Sequence, residues 1–313
     1  HSYARCVVGH PSTVLARCDA DGKSIYLISA GNEPEYTPAL TPAGEILYTR
    51  WEYTDKELMR IQSLWTTRPD GTGTQVCWGN QSYWPDMLLE ARHIPGSRRI
   101  MFAGHGHHQV YRGSIGIVDP TQGFNYPDGL TKVTWDVPWC EVGDGPSEKM
   151  EEPAYHSSGA YTGYKSPYPL SEDLFLVSAR HRGKGSKFMV FLMDVYGNRE
   201  VIYEGAFNAL YAMPVRARPV PPVLPDQRTW AGRQKDAKPI EPGVFHCADV
   251  YQGAPPELAG KAKVLRVIQL DFNTMTLGKK IQDTEHTKAR LHMHVGPVVS
   301  AVANDGVKRI CSG

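Results

Sequence analysis

Four things are scarce in this 313-residue sequence. Each scarcity closes off a class of protein. No apolar run reaches the roughly 18 residues that a membrane-crossing helix needs. Charge bias is missing as well: 34 Lys and Arg against 33 Asp and Glu leave a net charge of +1. Such a chain has no electrostatic footprint for nucleic acid or for an anionic membrane surface. No stretch of about 12 residues repeats its apolar positions at the helical period, so helices are expected to be few. The six cysteines, Cys6, Cys18, Cys77, Cys140, Cys247 and Cys311, all stand alone, with neither CxxC nor CxxCH among them. That excludes a short-spaced zinc ribbon and a c-type haem attachment within this stretch. Dispersed thiols read as small buried hydrophobes. An oxidising compartment would also permit disulfides, with their pairing left open. The GxSxG elbow, the phosphate-binding P-loop and the dinucleotide fingerprint are absent too.

Turn residues, by contrast, are plentiful. The chain has 30 Gly and 24 Pro, placed between short apolar runs, as in an all-β protein. Their placement repeats. Pro38-Ala-Leu-Thr-Pro-Ala-Gly-Glu-Ile-Leu-Tyr-Thr-Arg-Trp51 reads as a polar turn followed by an apolar, β-branched strand. The stretches 19–29, 94–103 and 167–178 follow the same design. Further strands, at 63–71, 114–120 and 188–198, follow them, and Asp70-Gly71 and Gly197-Asn198 supply the positive φ that tight turns require. A hairpin repeat of this size predicts a β-propeller with TolB-like hairpins, whose radial repetition protects its strand edges. Propeller strands are expected over 1–213. A Pro-rich strap or linker with a loop is expected over 214–256, because Pro214 to Pro225 holds the backbone extended. The start of a second, truncated β domain is expected over 257–313. The whole reads as a piece of a longer polypeptide.

Several segments carry residues suited to chemistry. His105, His107 and His108 lie within four positions, with Gly104 and Gly106 between, just after a predicted strand. Neutral imidazole is a common metal ligand, and glycine lets the backbone turn so that two rings face one ion. An ordinary solvated loop reads equally well. Cys77, in Gln-Val-Cys-Trp-Gly-Asn80, is a buried thiol or, as a thiolate, a soft ligand for zinc or haem iron, or a nucleophile. His292 and His294 share one strand face at period two, as a metal or proton-relay pair or as half-exposed strand residues. His246 stands beside Cys247 in a loop bounded by Pro and Gly. The acidic aromatic run with Asp136, Glu141 and Asp144 offers carboxylates to calcium without the ordered spacing of an EF-hand, and otherwise reads as a solvated insertion.

Particular strings go further. Ile46-Leu-Tyr-Thr-Arg-Trp-Glu-Tyr53, Ser63-Leu-Trp-Thr-Thr-Arg-Pro-Asp-Gly-Thr72 and Glu90-Ala-Arg-His-Ile-Pro-Gly-Ser97 are three of them. Gly104-His-Gly-His-His108 with Tyr111-Arg-Gly-Ser-Ile115, Tyr168-Pro-Leu-Ser-Glu-Asp173, and Gly296-Pro-Val-Val-Ser-Ala-Val302 with Asp305-Gly-Val-Lys-Arg309 complete the set. Together the chain resembles the middle-domain propeller of the hydrazine synthase alpha-subunit family of planctomycetes. The resemblance implies an oxidoreductase subunit with haem c, attached outside this stretch, and zinc. The implied reaction forms hydrazine from nitric oxide-derived hydroxylamine and ammonia. It further implies beta and gamma subunits in a heterotrimer that dimerises, and the anammoxosome lumen as compartment. By position, His107 would be the zinc-side ligand with His105 and His108 as neighbours, and Cys77 the cysteine at the catalytic haem. A second reading is a non-catalytic propeller scaffold that docks a haem domain or protein partners. A third is an envelope hydrolase or glycan-binding propeller.

Overall fold

In the computed structural model the described residues are 2–3, 11–29, 33–52, 61–82, 84–106, 113–137, 139, 161–185, 187–227, 251, 255–261, 264–269 and 292–297. The chain divides into two compact bodies, one of residues 1–5 and 11–229, the other of 6–10 and 230–313. Strands dominate both. The helical content among the described residues is two three-residue 3₁₀ turns, Arg182–Lys184 and Pro256–Leu258.

The larger body opens with two-residue ladders. Strand β1 (Ser2–Tyr3) pairs with β2 (Pro11–Ser12), and β3 (Ala16–Arg17) pairs with β4 (Tyr26–Leu27). Three antiparallel meanders of four strands follow. The first is β5 (Glu35–Leu40), β6 (Ile46–Trp51), β7 (Gln62–Thr67) and β8 (Gln75–Trp78). The second is β9 (Met87–His93), β10 (Ile100–His105), β11 (Gly113–Val118) and β12 (Leu130–Lys132). The third is β13 (Tyr161–Pro169), β14 (Leu174–His181), β15 (Phe188–Asp194) and β16 (Arg199–Tyr203). Single bridges, Gln62 to Met87 and Gly113 to Tyr164, link one meander to the next. The path from β16 to β5 is open, and no ladder among the described residues joins its ends.

The repeats read at 38–51, 94–103 and 167–178 are therefore the first hairpins of the three meanders. The copy at 19–29 forms only the short β4, in the small ladder with β3. Ile28 is buried but Ile25 and Leu27 are exposed, so it has the turn of the repeat with too little burial to fix a long strand.

Two apolar layers separate the meanders. Leu47, Leu64, Trp78, Leu88, Ile100, Phe102, Val118 and Trp139 form one core, between the first and second. Met101, Ala103, Ile115, Ile117, Phe175, Val177, Met189 and Phe191 belong to the other, between the second and third. Strand β10 shows why its sequence is apolar throughout. Successive side chains point to opposite faces, so Ile100 and Phe102 enter the first core while Met101 and Ala103 enter the second. Each fully buried side chain of this size contributes about 1.5–3 kcal/mol relative to exposure.

The Pro-rich run after Tyr203 stays with this body. The Phe188 amide donates to Asn208 Oδ1 at 2.9 Å, and the Ala209 amide donates to the Phe188 carbonyl at 2.9 Å, which holds the run to the third meander. Its far end ties to the β7–β8 turn of the first and to β3. Arg68 donates to the Pro225 carbonyl at 2.8 Å, Arg17 pairs with Asp226 at 2.7 Å, and the Gln227 amide donates to Asp70. The Pro222 carbonyl lies where a Cβ at Gly44 would stand, 2.2 Å away, so only glycine lets the strap lie this close.

The smaller body has β17 (Val264–Gln269) paired antiparallel with β18 (His292–Pro297).

Candidate functional site

The first strand of each meander carries the same irregularity. In β5 the register slips so that Thr37 and Pro38 oppose the single residue Tyr48. In β9, Glu90 and Ala91 oppose Phe102, and in β13, Ser166 and Pro167 oppose Val177. These are β-bulges, two residues facing one. The first residue of each is left-handed, with φ of 46°, 56° and 52° for Thr37, Glu90 and Ser166. Glycine would adopt this backbone at less cost.

The side chains explain why glycine is absent. A bulge takes an N–H out of the ladder, and a buried N–H needs a partner. The Glu90 amide donates to the Thr37 hydroxyl at 3.0 Å. The Ser166 amide in turn donates to Glu90 Oε2, and the Ser166 hydroxyl reaches Glu90 Oε1 at 3.3 Å. The first bulge thus supplies an acceptor to the second, and the second to the third. Lys165 Nζ stands 3.8 Å from the same carboxylate.

A fourth left-handed residue, Tyr211 with φ of 58°, lies on the strap and is followed by Ala212. Burial pushes its phenol up to about 12, reinforced by the charge of Glu90 and by the hydrogen bond it makes to that carboxylate. Residues 37–39, 90–92, 166–168 and 211–213, three from each of four equivalent segments, line one cavity of about 200 Å³. The strap at 211–213 thus completes the lining without joining a ladder among the described residues.

The sequence reading missed this site. A faint signal was present: Thr37, Glu90 and Ser166 each stand five positions before a residue that opens the following turn, Pro42, Pro95 and Ser171.

The residues singled out in the sequence are placed as follows. Cys77 lies on β8, half-buried, and packs against the core between the first two meanders. Burial and the neighbouring Glu45 charge push its thiol up to about 12. His105 is the last residue of β10 and is 1% exposed, and its backbone pairs with Gly113 and Met87. Gly104 is also in the strand rather than in a loop. A Cβ there would meet the Trp139 ring at 2.3 Å, so the glycine makes room for the indole that stacks on Phe102. His107 and His108 lie outside the described residues, as do His246, Cys247, Glu141 and Asp144. His292 and His294 pair through their backbones with Gln269 and Val267. Asp136 is taken up by the protein: it accepts from Tyr164 Oη at 2.9 Å and from Arg199 Nη1 at 2.7 Å. Among the described residues no three of His, Cys, Asp and Glu come together as a metal-holding group. No described helix is long and apolar enough to cross a membrane.

No protein-family model matches the chain, and no curated protein matches it. Among solved structures the chain is similar to hydrazine synthase of Kuenenia stuttgartiensis, at 19% identity and a TM-score of 0.41. The relationship is a distant structural one. The likeness covers 58% of this chain and 21% of the other, so the chain spans about a fifth of that protein's length.

Proposed function

We propose that the larger body is a run of β-propeller blades serving as the scaffold of an oxidoreductase subunit of the hydrazine synthase alpha type. One observation carries the scaffold: three successive four-stranded meanders have bulges at the same place in their first strands, the first supplying an acceptor to the second and the second to the third. Propeller blades are repeated four-stranded sheets of this kind, set around an axis. The assignment to the subunit type rests on the sequence strings at 46–53, 63–72, 90–97 and 104–115.

Within this reading haem c, carried outside the stretch, would supply the redox chemistry, and zinc would sit with Cys77 and His107, next to His105 and His108. The described donors do not by themselves fit a zinc centre. Cys77 is packed against apolar side chains and His105 is enclosed at a strand end. No chemical step is therefore derived through either group. What these residues supply is packing within the frame. The beta and gamma subunits, the small nitrogen substrates and the anammoxosome lumen belong to the same proposal. The protonated, core-packed state of Cys77 favours a second reading, a non-catalytic propeller scaffold docking a haem domain or protein partners.

Spectroscopy and elemental analysis of the full-length gene product separate the two. The oxidoreductase reading expects the absorbance of c-type haem, and bound zinc lost in both Cys77→Ala and His107→Ala. A haem-free protein that keeps its metal content in both variants overturns it and leaves the scaffold.

A further inference from the structure

We propose that the outward edges of the strap over 216–223 dock a protein domain whose groove is lined by aromatic rings and carries carboxylates at one end. The backbone comes first. Pro219, Pro221, Pro222 and Pro225 each fix their own φ. Arg218, Val220, Pro221 and Leu224 each precede a proline, which turns them away from the helical region. A chain so restricted takes the polyproline II form, with about three residues per turn and no internal hydrogen bonds. The burial of the strap keeps that period. Pro221 and Leu224 are half-buried, and Arg218, one turn earlier, lays its guanidinium over the Tyr168 ring at 5.7 Å. Leu224 Cγ stands 3.3 Å from the place of a Cβ at Gly44. This edge faces the meanders.

The other two edges point outward. Arg216, Pro219 and Pro222 form one, Ala217, Val220 and Val223 the other, and all six are exposed. Val220 is 88% and Val223 90% exposed. Asn208 and Ala209 tie the strap on one side, and Pro225, Asp226 and Gln227 tie it on the other. The extended backbone is thus already ordered, which lowers the entropy cost of association. Pro-rich segments of this form dock in grooves lined by aromatic rings. Charge selects the end of the groove. No Asp or Glu lies between Gly205 and Pro225, while Arg216 and Arg218 stand at the N-terminal end of the proline run. Arg216 lies one turn before Pro219 on the same edge, so a carboxylate beside the groove would meet its guanidinium fork. The site does not depend on haem or zinc, because it is built from the strap alone.

The test is calorimetric titration of the 313-residue chain with a panel of purified WW and SH3 domains, whose grooves are lined by aromatic rings. Saturable binding is expected for at least one SH3 domain with carboxylates beside its groove. Arg216→Glu and Val220→Asp, both at exposed positions, should each weaken that binding about tenfold or more. Lys23→Gln, on an exposed turn, leaves it unchanged. Thermal midpoints of all variants are read alongside. If a variant fails to fold, added salt, which screens the Arg216 pairing, must weaken wild-type binding instead. A synthetic peptide of residues 212–226 is the control. Binding of the peptide without binding of the folded chain would show the two edges covered in the protein and would overturn the proposal. So would the absence of saturable binding by every domain of the panel, or affinity unchanged in the folded variants.

Discussion

Burial governs what Cys77 can do. With its thiol pushed up to about 12, the group is protonated at neutral pH and a poor nucleophile. Cys18, by contrast, is exposed on the surface of the same body. Treatment with iodoacetamide near neutral pH should modify Cys18 readily and Cys77 only slowly, with Cys77 catching up once urea unfolds the chain. Peptide mass spectrometry over time reads both sites. Equal rates in the folded protein would mean that β8 opens far more easily than its packing implies. The sequence could show that Cys77 stands alone, but it could not show what packs on it. The core that Cys77 packs on, which includes Leu47 and Phe102, is drawn from strands far from it in sequence.

The strap is held at the element scale by few groups, and Asp70 is central to them. Burial works against its charge, yet hydrogen bonds from the Thr72 hydroxyl, the Gln227 amide and the Thr72 amide prevail. They take the carboxyl from 3.8 down to about 2. A depressed folded-state value means that the contribution is fully present above pH 3.8 and is lost as pH falls toward about 2. Asp70→Ala should release the strap end at neutral pH. Trypsin cleavage after Arg216 should then speed up several-fold at neutral pH, relative to the wild-type protein. An unchanged cleavage rate in Asp70→Ala would leave Arg17 and Arg68 as the holding groups. The proline content over 214–225 foretold an extended chain, because proline fixes φ. It did not foretell where that chain goes, which depends on Asp70, Arg68 and Gly44, all more than a hundred residues away in sequence.

At the scale of the whole larger body, Glu90 joins the bulge of the second meander to that of the third and to the strap. Glu90→Ala leaves the Ser166 amide without its acceptor, a loss of about 2 kcal/mol for a buried donor. It also removes a link between meanders, so urea unfolding should become broader as well as earlier, with a lower apparent m-value. Glu90→Gln keeps an acceptor oxygen and should lose less. A shift in midpoint with an unchanged slope would show that the meanders cooperate through their apolar cores alone.

The sequence by itself determined the all-β class, the turns and most of the strands. These depend on local chemistry: proline and glycine punctuation, and apolar runs such as 100–103 that must be buried on both faces. It also marked the three hairpins at 38–51, 94–103 and 167–178, because a repeated design needs no knowledge of its neighbours. Only the tertiary structure decided that Thr37, Glu90, Ser166 and Tyr211 are equivalent residues around one cavity, and that Gly104 serves Trp139 rather than a loop. The bulges share no residue type at their first position. What they share is an unusual φ and a hydrogen bond to the bulge of a neighbouring repeat, and those relations exist only once the meanders have packed side by side.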